Sequence, residues 1–298
     1  MDDWLWTWIQ TQGLFLLENI GWWIVAVWVL LWIFLWRFAR TILRLLQHIM
    51  TSWQLDALPF PRLARLLSSR FDNQRLTGLP LTLAAITFLA FALLLCGVVE
   101  DVVERDFIVR FDYWMATVMA EAHTKSIVSA FHSITMLGNA NVVVPLWIIA
   151  LITLSMFGNR FWALPLFISF IGSISMAALG KYGFARPRPT EALFVSHTAS
   201  FPSGHSTLAM SFYAVLFYLW WRRTSSWNAQ VWIVFAGVSF ALLLGSSRII
   251  IGVHYFSDVL AGLLLGGLWF ILAISLYEWL NIKQYIQLSK DDLIIKVK

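Results

Sequence analysis

An all-α, polytopic membrane helix bundle is the fold class this sequence predicts, on three observations. The chain of 298 residues is 60% hydrophobic and only 12% charged, whereas a water-soluble domain carries about a quarter charged residues. Its apolar residues fall in long uninterrupted stretches of about the 20 residues needed to cross a hydrocarbon core roughly 30 Å thick. Its 18 Trp and 23 Phe suit both apolar interiors and the headgroup zone. The bilayer is therefore the solvent in which every polar residue has to be explained.

Seven stretches reach spanning length: 14–36, 79–99, 142–157, 161–179, 206–221, 231–244 and 259–280. The third and sixth are short and need flanking residues or a thinned bilayer to span. Orientation follows from Lys and Arg near the span ends, which collect on the cytoplasmic side. Placing the loop after the first span inside puts 14 of the 21 basic residues there, among them Arg37, Arg40, Arg44, Arg160, Arg222, Arg223 and Lys283. The N-terminus is then outside and the C-terminus inside. The net charge of +5 is thus accounted for by topology, and no nucleic-acid partner is expected. No short apolar run ending in a small-residue cleavage site opens the chain, so a retained anchor is expected rather than a removable signal peptide. The inner loop 37–78 sets Arg37, Arg40 and Arg44 at helical spacing among Ile42, Leu43, Leu45 and Leu46, the pattern of an interfacial helix. Outside, 100–141 mixes Glu100, Asp101, Glu104, Asp106, Asp112 and Glu121 with an apolar stripe of Phe111, Trp114, Met115, Val118 and Met119. One or two helices lying on the outer surface are expected there, with Gly138 and Asn139 turning into the next span. The single cysteine, Cys96, lies in an apolar run and excludes an intramolecular disulfide or a cysteine-built metal site.

Against this background three polar clusters stand out, each at the outer end of a span. Lys181, Arg186, Arg188 and Pro189 follow the fourth; Pro202-Ser203-Gly204-His205 opens the fifth; Ser247, Arg248, His254 and Asp258 lie between the sixth and seventh. Ionisable groups at a membrane boundary are costly to bury, and several at one depth are a functional signal. Lys181, Arg188 and Arg248 form a cationic clamp suited to the oxygens of a phosphate, with forked hydrogen bonds from each guanidinium. Ser203 and Gly204 precede a helix whose free opening amides favour an anion. His254 and Asp258 are four apart and share a face if the last helix has already begun, so the carboxylate can fix the imidazole tautomer and free the other nitrogen to attack phosphorus. His205 is then placed to protonate a departing oxygen.

Each residue alone has a plainer reading. A basic residue at a span end usually snorkels, Ser before a helix usually caps it, and a His and Asp four apart often just share a hydrogen bond. Two His and an Asp also suit zinc, but three neighbouring cations repel a divalent ion and attract phosphate, so no metal and no other cofactor is expected. His48, His123, His132 and His197 lie outside the clusters and are read as surface or loop residues.

Together the clusters resemble the tripartite signature of the type 2 phosphatidic acid phosphatase superfamily, relatives of the vanadium haloperoxidases: Lys-x6-Arg-Pro, Pro-Ser-Gly-His and Ser-Arg-x5-His-x3-Asp. Lys181, Arg188 and Pro189, then Pro202 to His205, then Ser247, Arg248, His254 and Asp258 match it at eleven positions with every internal spacing met. The resemblance covers about 79–280. It implies a six-helix phosphatase core, preceded here by one extra transmembrane helix and basic cytoplasmic loop (1–78) and followed by a cytoplasmic tail (281–298). It also implies metal-independent hydrolysis of a lipid phosphomonoester or pyrophosphate, of the phosphatidic acid, phosphatidylglycerophosphate or undecaprenyl pyrophosphate type, through a phosphohistidine. Carried over by position, His254, His205 and Asp258 are catalytic, and Lys181, Arg188, Ser203, Gly204 and Arg248 bind substrate. Arg186, outside the strict pattern, is expected to touch phosphate or anchor at the headgroups. A bacterial inner membrane with a periplasmic site is the matching location. Two rival readings share these residues: a lipid phosphotransferase, and a non-enzymatic anion transporter, which would need ionisable groups near mid-membrane.

Overall fold

In a computed structural model of the chain, the described residues are 79–296, apart from 122–123, 158–159, 191 and 194–197, together with a few helical positions between 29 and 41. For 282–296 only the helical path is described. Most of the expected first span and of the inner loop lies outside the described residues, as do His48, His123 and His197.

The described residues form an all-α bundle. Its helices are α1 (Leu79–Glu104), α2 (Phe107–Glu121), α3 (Lys125–Met136), α4 (Ala140–Phe157) and α5 (Ala163–Phe184). After a polar strap come α6 (Gly204–Leu208), a π turn (Ala209–Tyr213), α7 (Ala214–Arg223), α8 (Trp227–Ile250) and α9 (Phe256–Lys296). Five stretches are long and apolar enough to cross a membrane: Pro80–Glu104, Ile127–Met156, Ala163–Phe184, Trp227–Ile250 and Phe256–Asn281. The second of these runs through the turn between α3 and α4. The helical path from α6 through the π turn to α7 is continuous over 204–223. The two stretches that looked short in sequence gain length from flanking polar residues: α4 has 18 residues and α8 has 24, the latter extending through Arg248. Backbone amides at the membrane boundary are satisfied most simply by continuing the helix, whatever side chain comes next.

Helix α9 is the hub, packing against α1, α5, α6 and the π turn. Lipid is as apolar as leucine, so helices in a bilayer associate through close packing of small residues rather than through hydrophobic exclusion. Gly262 and Gly266, one helical turn apart, supply such a face. A Cβ on Gly262 would lie 2.5 Å from the Ser203 carbonyl oxygen, and one on Gly266 would lie 2.3 Å from that of Thr207. The start of α9 is thereby pressed onto the backbone of α6. On the other side of α6, Val143, Leu166, Phe170, Leu208, Phe212, Val215 and Leu219 form the main apolar core. The π turn exposes the Ser211 carbonyl, which accepts from Ser169 Oγ at 3.1 Å, while Ser173 and Ser211 hydroxyls share a 2.8 Å hydrogen bond. Helix α1, by contrast, presents Leu83, Ile86, Leu89, Leu93 and Leu94 outward as lipid-facing surface.

Two helix ends shape the end of the bundle that carries the polar clusters. Arg105 closes α1 in the left-handed region at φ 58°, and the Asp106 N–H donates to Asp101 O at 3.0 Å, turning the chain into α2. Ala185 does the same for α5 at φ 43°, its N–H donating to Lys181 O at 3.1 Å, so that Arg186 swings back over the bundle. Of the expected stripe, helix α2 buries Val118 and Met119 and half-buries Phe111, Trp114 and Met115; it also buries Val109 and, completely, Asp112. In the sequence Asp112 had no role apart from the other acids of this stretch; the structure sets it apart by burying it.

Candidate active site

The three clusters meet at one end of the bundle. Ser203 N–H donates to the Asp258 carbonyl at 2.9 Å, tying the start of α6 to the first turn of α9. Ser203 Oγ caps α6, accepting from Ser206 N–H at 3.5 Å and Ser206 Oγ–H at 3.0 Å. The capping role that serine commonly takes is therefore real here. With the Ser203 and Ser206 amides engaged, the Gly204 and His205 amides are those left at the opening turn.

His254 is 3% exposed and lies two residues before α9, not within it, since the helix begins at Phe256. The expected pairing forms all the same: Nδ1 is 3.3 Å from Asp258 Oδ2. The reason is a cap-like turn in which the same carboxylate oxygen accepts from Tyr255 N–H at 3.0 Å. With Nδ1–H donating to Asp258, Nε2 carries the lone pair. Nε2 faces Arg188 Nη1 at 3.3 Å. Burial first, and then Arg248, Arg188 and Lys181, hold the His254 pKa well below the usual imidazole value. The ring is thus neutral with a free nitrogen.

Arg188 is fixed by its surroundings. Nη1 donates to Val253 O at 2.8 Å, Nε to Thr198 O at 3.0 Å and Nη2 to Thr198 Oγ1 at 3.1 Å. Lys181 Nζ donates to Ala199 O. Arg248 is held by Nη1 donating to Thr135 Oγ1 at 2.8 Å, while its buried Nε has no hydrogen-bond partner among the described residues. His205 lies within electrostatic reach of Arg248, His254, Arg188 and Lys181. A cleft of about 690 Å³, lined by Lys181, Tyr182, Arg186, Arg188 and Thr198 among others, opens beside them. All eight residues singled out in the sequence therefore belong to one locality, with one imidazole made neutral and the cations oriented around it.

Arg186 takes neither of its expected roles. Its side chain, 10% exposed, bridges two fully buried carboxylates: Nη1 to Asp258 Oδ1 and Nη2 to Asp112 Oδ2, both at 2.8 Å. Nη1 also donates to Ser257 Oγ at 2.7 Å, and the guanidinium stacks over the Tyr255 ring at 4.4 Å. Asp112 further accepts from Ser257 N–H at 2.9 Å and from Ser257 Oγ–H. Burial raises its pKa, opposed by Ser257 and Arg186.

Three contributors from upstream escaped the sequence reading. They are Asp112, Thr135, and Gly138 in its second role: besides turning the chain, it makes room for a ring, since a Cβ there would lie 2.7 Å from His205 Cδ2. The one available signal was that Asp112 falls in phase with Val109 and Met119 on the apolar face of α2.

A family model described as the PAP2 superfamily matches residues 161–282. Lipid A 1-phosphatase of Rhizobium etli is 35% identical over 116 residues, covering 35% of this chain and 45% of its own length. Phosphatidylglycerophosphatase B of Bacillus subtilis is 34% identical over 143 residues, covering 47% of this chain and 70% of the relative. The chain spans under half the length of the lipid A 1-phosphatases it matches from two Rhizobium species. Among solved structures, the transmembrane PAP2-type phosphatidylglycerolphosphate phosphatase of Bacillus subtilis superposes with a TM-score of 0.56 at 26% identity, over 65% of this chain and 96% of that one.

Proposed function

The chain belongs to the PAP2 superfamily, and from that premise we propose that it is an integral-membrane phosphatase that removes phosphate from a lipid phosphomonoester or diphosphate by way of a phosphohistidine. The observation that carries this reading is the neutral His254 ring, fixed by Asp258 at Nδ1 and facing the clamp of Lys181, Arg188 and Arg248 with Nε2. In the first step a bond forms from Nε2 to phosphorus and the bond from phosphorus to the lipid oxygen breaks, with His205 giving that oxygen its proton. In the second, water attacks phosphorus, the P–N bond breaks and the water proton returns to His205. The three cations stabilise the charge on the equatorial oxygens, which is where most catalysis of phosphoryl transfer arises. The buried, unpartnered Arg248 Nε–H is a donor suited to one of those oxygens. Ser203 and Gly204 shape the cradle, the former by capping α6 and the latter by leaving its amide open.

The site lies at the outer end of the bundle by the charge bias of the loops, at headgroup depth, so an amphipathic substrate reaches it sideways from the leaflet. Phosphatidic acid, phosphatidylglycerophosphate and undecaprenyl pyrophosphate share the necessary chemistry, and relatives named for lipid A and phosphatidylglycerophosphate support that class. In a bacterial host the natural setting is the inner membrane with the site facing the periplasm, which reporter fusions at both termini would check.

The deciding experiment is a panel of lipid phosphates assayed on purified protein with and without chelator, combined with acid-quench trapping of phosphoenzyme. Activity that survives the chelator, with trapping lost in His254→Ala, is the expected result. Turnover of wild-type order in His254→Ala would reject the nucleophile. His205→Ala should slow substrates with poor leaving groups most.

A further inference from the structure

The cluster of Asp112, Arg186, Ser257 and Asp258 lies behind the imidazole, and of its four members only Asp258 has a part in the chemistry just described. Two carboxylates share one guanidinium there, and both are fully buried. We propose that Asp112 is a positioning residue: by taking half of Arg186 it leaves Asp258 with the negative charge that His254 needs on phosphorylation. This rests on the reading of His254 as nucleophile.

When Nε2 gives its lone pair to phosphorus the ring takes on positive charge, with Nδ1–H pointed at Asp258 Oδ2, 3.3 Å away. If Arg186 served Asp258 alone, that buried pair would be neutral and would offer the ring little. With Asp112 on the other edge of the guanidinium and both carboxylates ionised, the trio carries one net negative charge, and in a low-dielectric interior that charge matters to its nearest neighbour. The geometry divides the labour oxygen by oxygen. Asp258 Oδ1 faces Arg186 while Oδ2 faces His254 and Tyr255 N–H. Ser257, accepting from Arg186 and donating to Asp112, fixes the register between them. Asp112 comes from α2, outside the stretch matched by the family model, so this charge reaches the site from a separate part of the chain.

The plainer alternative is that Asp112 only pins α2 to α9. The two roles differ in which parameter moves. Asp112→Asn, nearly isosteric, should lower kcat at least about tenfold with KM unchanged and lower the trapped phosphoenzyme level, because only the charge has gone. Asp112→Glu should recover part of the loss. In an Asp258→Asn background, Asp112→Asn should have no further effect on the residual kcat, since the charge it supports is already absent. Additive losses in that cycle, or a change confined to KM, would overturn the proposal. Should the Asn variant not fold, Ser257→Ala, which keeps every charge but frees the register, is measured instead: a lower kcat at constant KM supports the proposal and an unchanged kcat overturns it. His254→Ala runs alongside. If it keeps its activity, the nucleophile reading fails; if it is dead while Asp112→Asn is normal, only this inference fails.

Discussion

The two ends of the bundle each carry an arginine bonded to a carboxylate of α9, and they are built for different ends. At the end that gathers the three polar clusters Arg186, 10% exposed, lies between Asp258 and Asp112, both fully buried. At the opposite end Arg222, 37% exposed, bonds Glu278 at 2.9 Å with Tyr218 donating to the same carboxylate, and neighbouring Arg223 rests on the Trp162 ring at 4.7 Å. The Arg222 pair balances one charge with one charge at a partly exposed boundary, and serves to hold α7 against α9. The Arg186 trio has one carboxylate too many, in a dry place. An imbalance of that kind is costly to a fold and marks a site where a neighbour uses it, and here that neighbour is an imidazole.

The sharpest way to break the comparison is to remove each arginine in turn. Arg186→Met strands two buried carboxylates and should cost about 3–5 kcal/mol, with activity falling at least about a hundredfold. Arg222→Met should cost under about 1 kcal/mol and leave kcat alone. Equal losses in thermal stability for the two variants would erase the distinction. Next in size is the contact that sets the clustered end in place. Gly262→Ala drives a methyl to 2.5 Å from the Ser203 carbonyl and should lower kcat about tenfold or more, with a stability loss of about 1–3 kcal/mol. Gly97→Ala, with nothing within 4 Å in α1, should be neutral or stabilising by up to about 1 kcal/mol.

A smaller effect is expected on the acid side of the pH profile, because His254 must be neutral to attack. His254 is held below its usual value by burial and then by Arg248, Arg188 and Lys181. Needed without its proton, it stays competent as pH falls through the ordinary imidazole range near 6.5. The acid limb of kcat/KM, corrected for ionisation of the substrate, should therefore lie below that range. Arg248→Gln should move the limb upward, toward but not reaching the ordinary value, because burial remains. A wild-type limb at 6.5 would contradict the neutral, buried ring. The smallest change should come from Ala185→Gly. It relieves a left-handed alanine at φ 43° but loosens the unfolded chain, for a net gain of about 0–1 kcal/mol and an unchanged kcat.

The difference between the two parts of the site also explains what the sequence disclosed. Lys181, Arg188, His205, Arg248, His254 and Asp258 were legible because each cluster keeps its members within a few residues of one another, where local spacing records geometry. The spans were legible because apolar length is a one-dimensional property, and α4 and α8 were undercounted only where polar residues continue the helix. Asp112, by contrast, meets Ser257 across 145 positions, and Thr135 meets Arg248 across 113. A lone aspartate or threonine in a helix looks the same whether it faces water or a guanidinium. Arg186 was misread for a related reason. Two residues from Arg188, it was expected to touch phosphate or to anchor at the headgroups, and only the left-handed turn at Ala185 sends it inward to the carboxylates.

The bare seam between Gly262, Gly266 and the peptide groups of Ser203 and Thr207 has a mechanical meaning. Where two main chains touch with no side chain between them, there is no rotamer to turn and no methyl to compress, so the gap between the anion cradle and the attacking nitrogen is held to the tolerance of a peptide plane. Thinning the bilayer or warming it should loosen the greasy outer helix α1 well before it widens that gap, leaving the reacting atoms in register while the lipid around them flows.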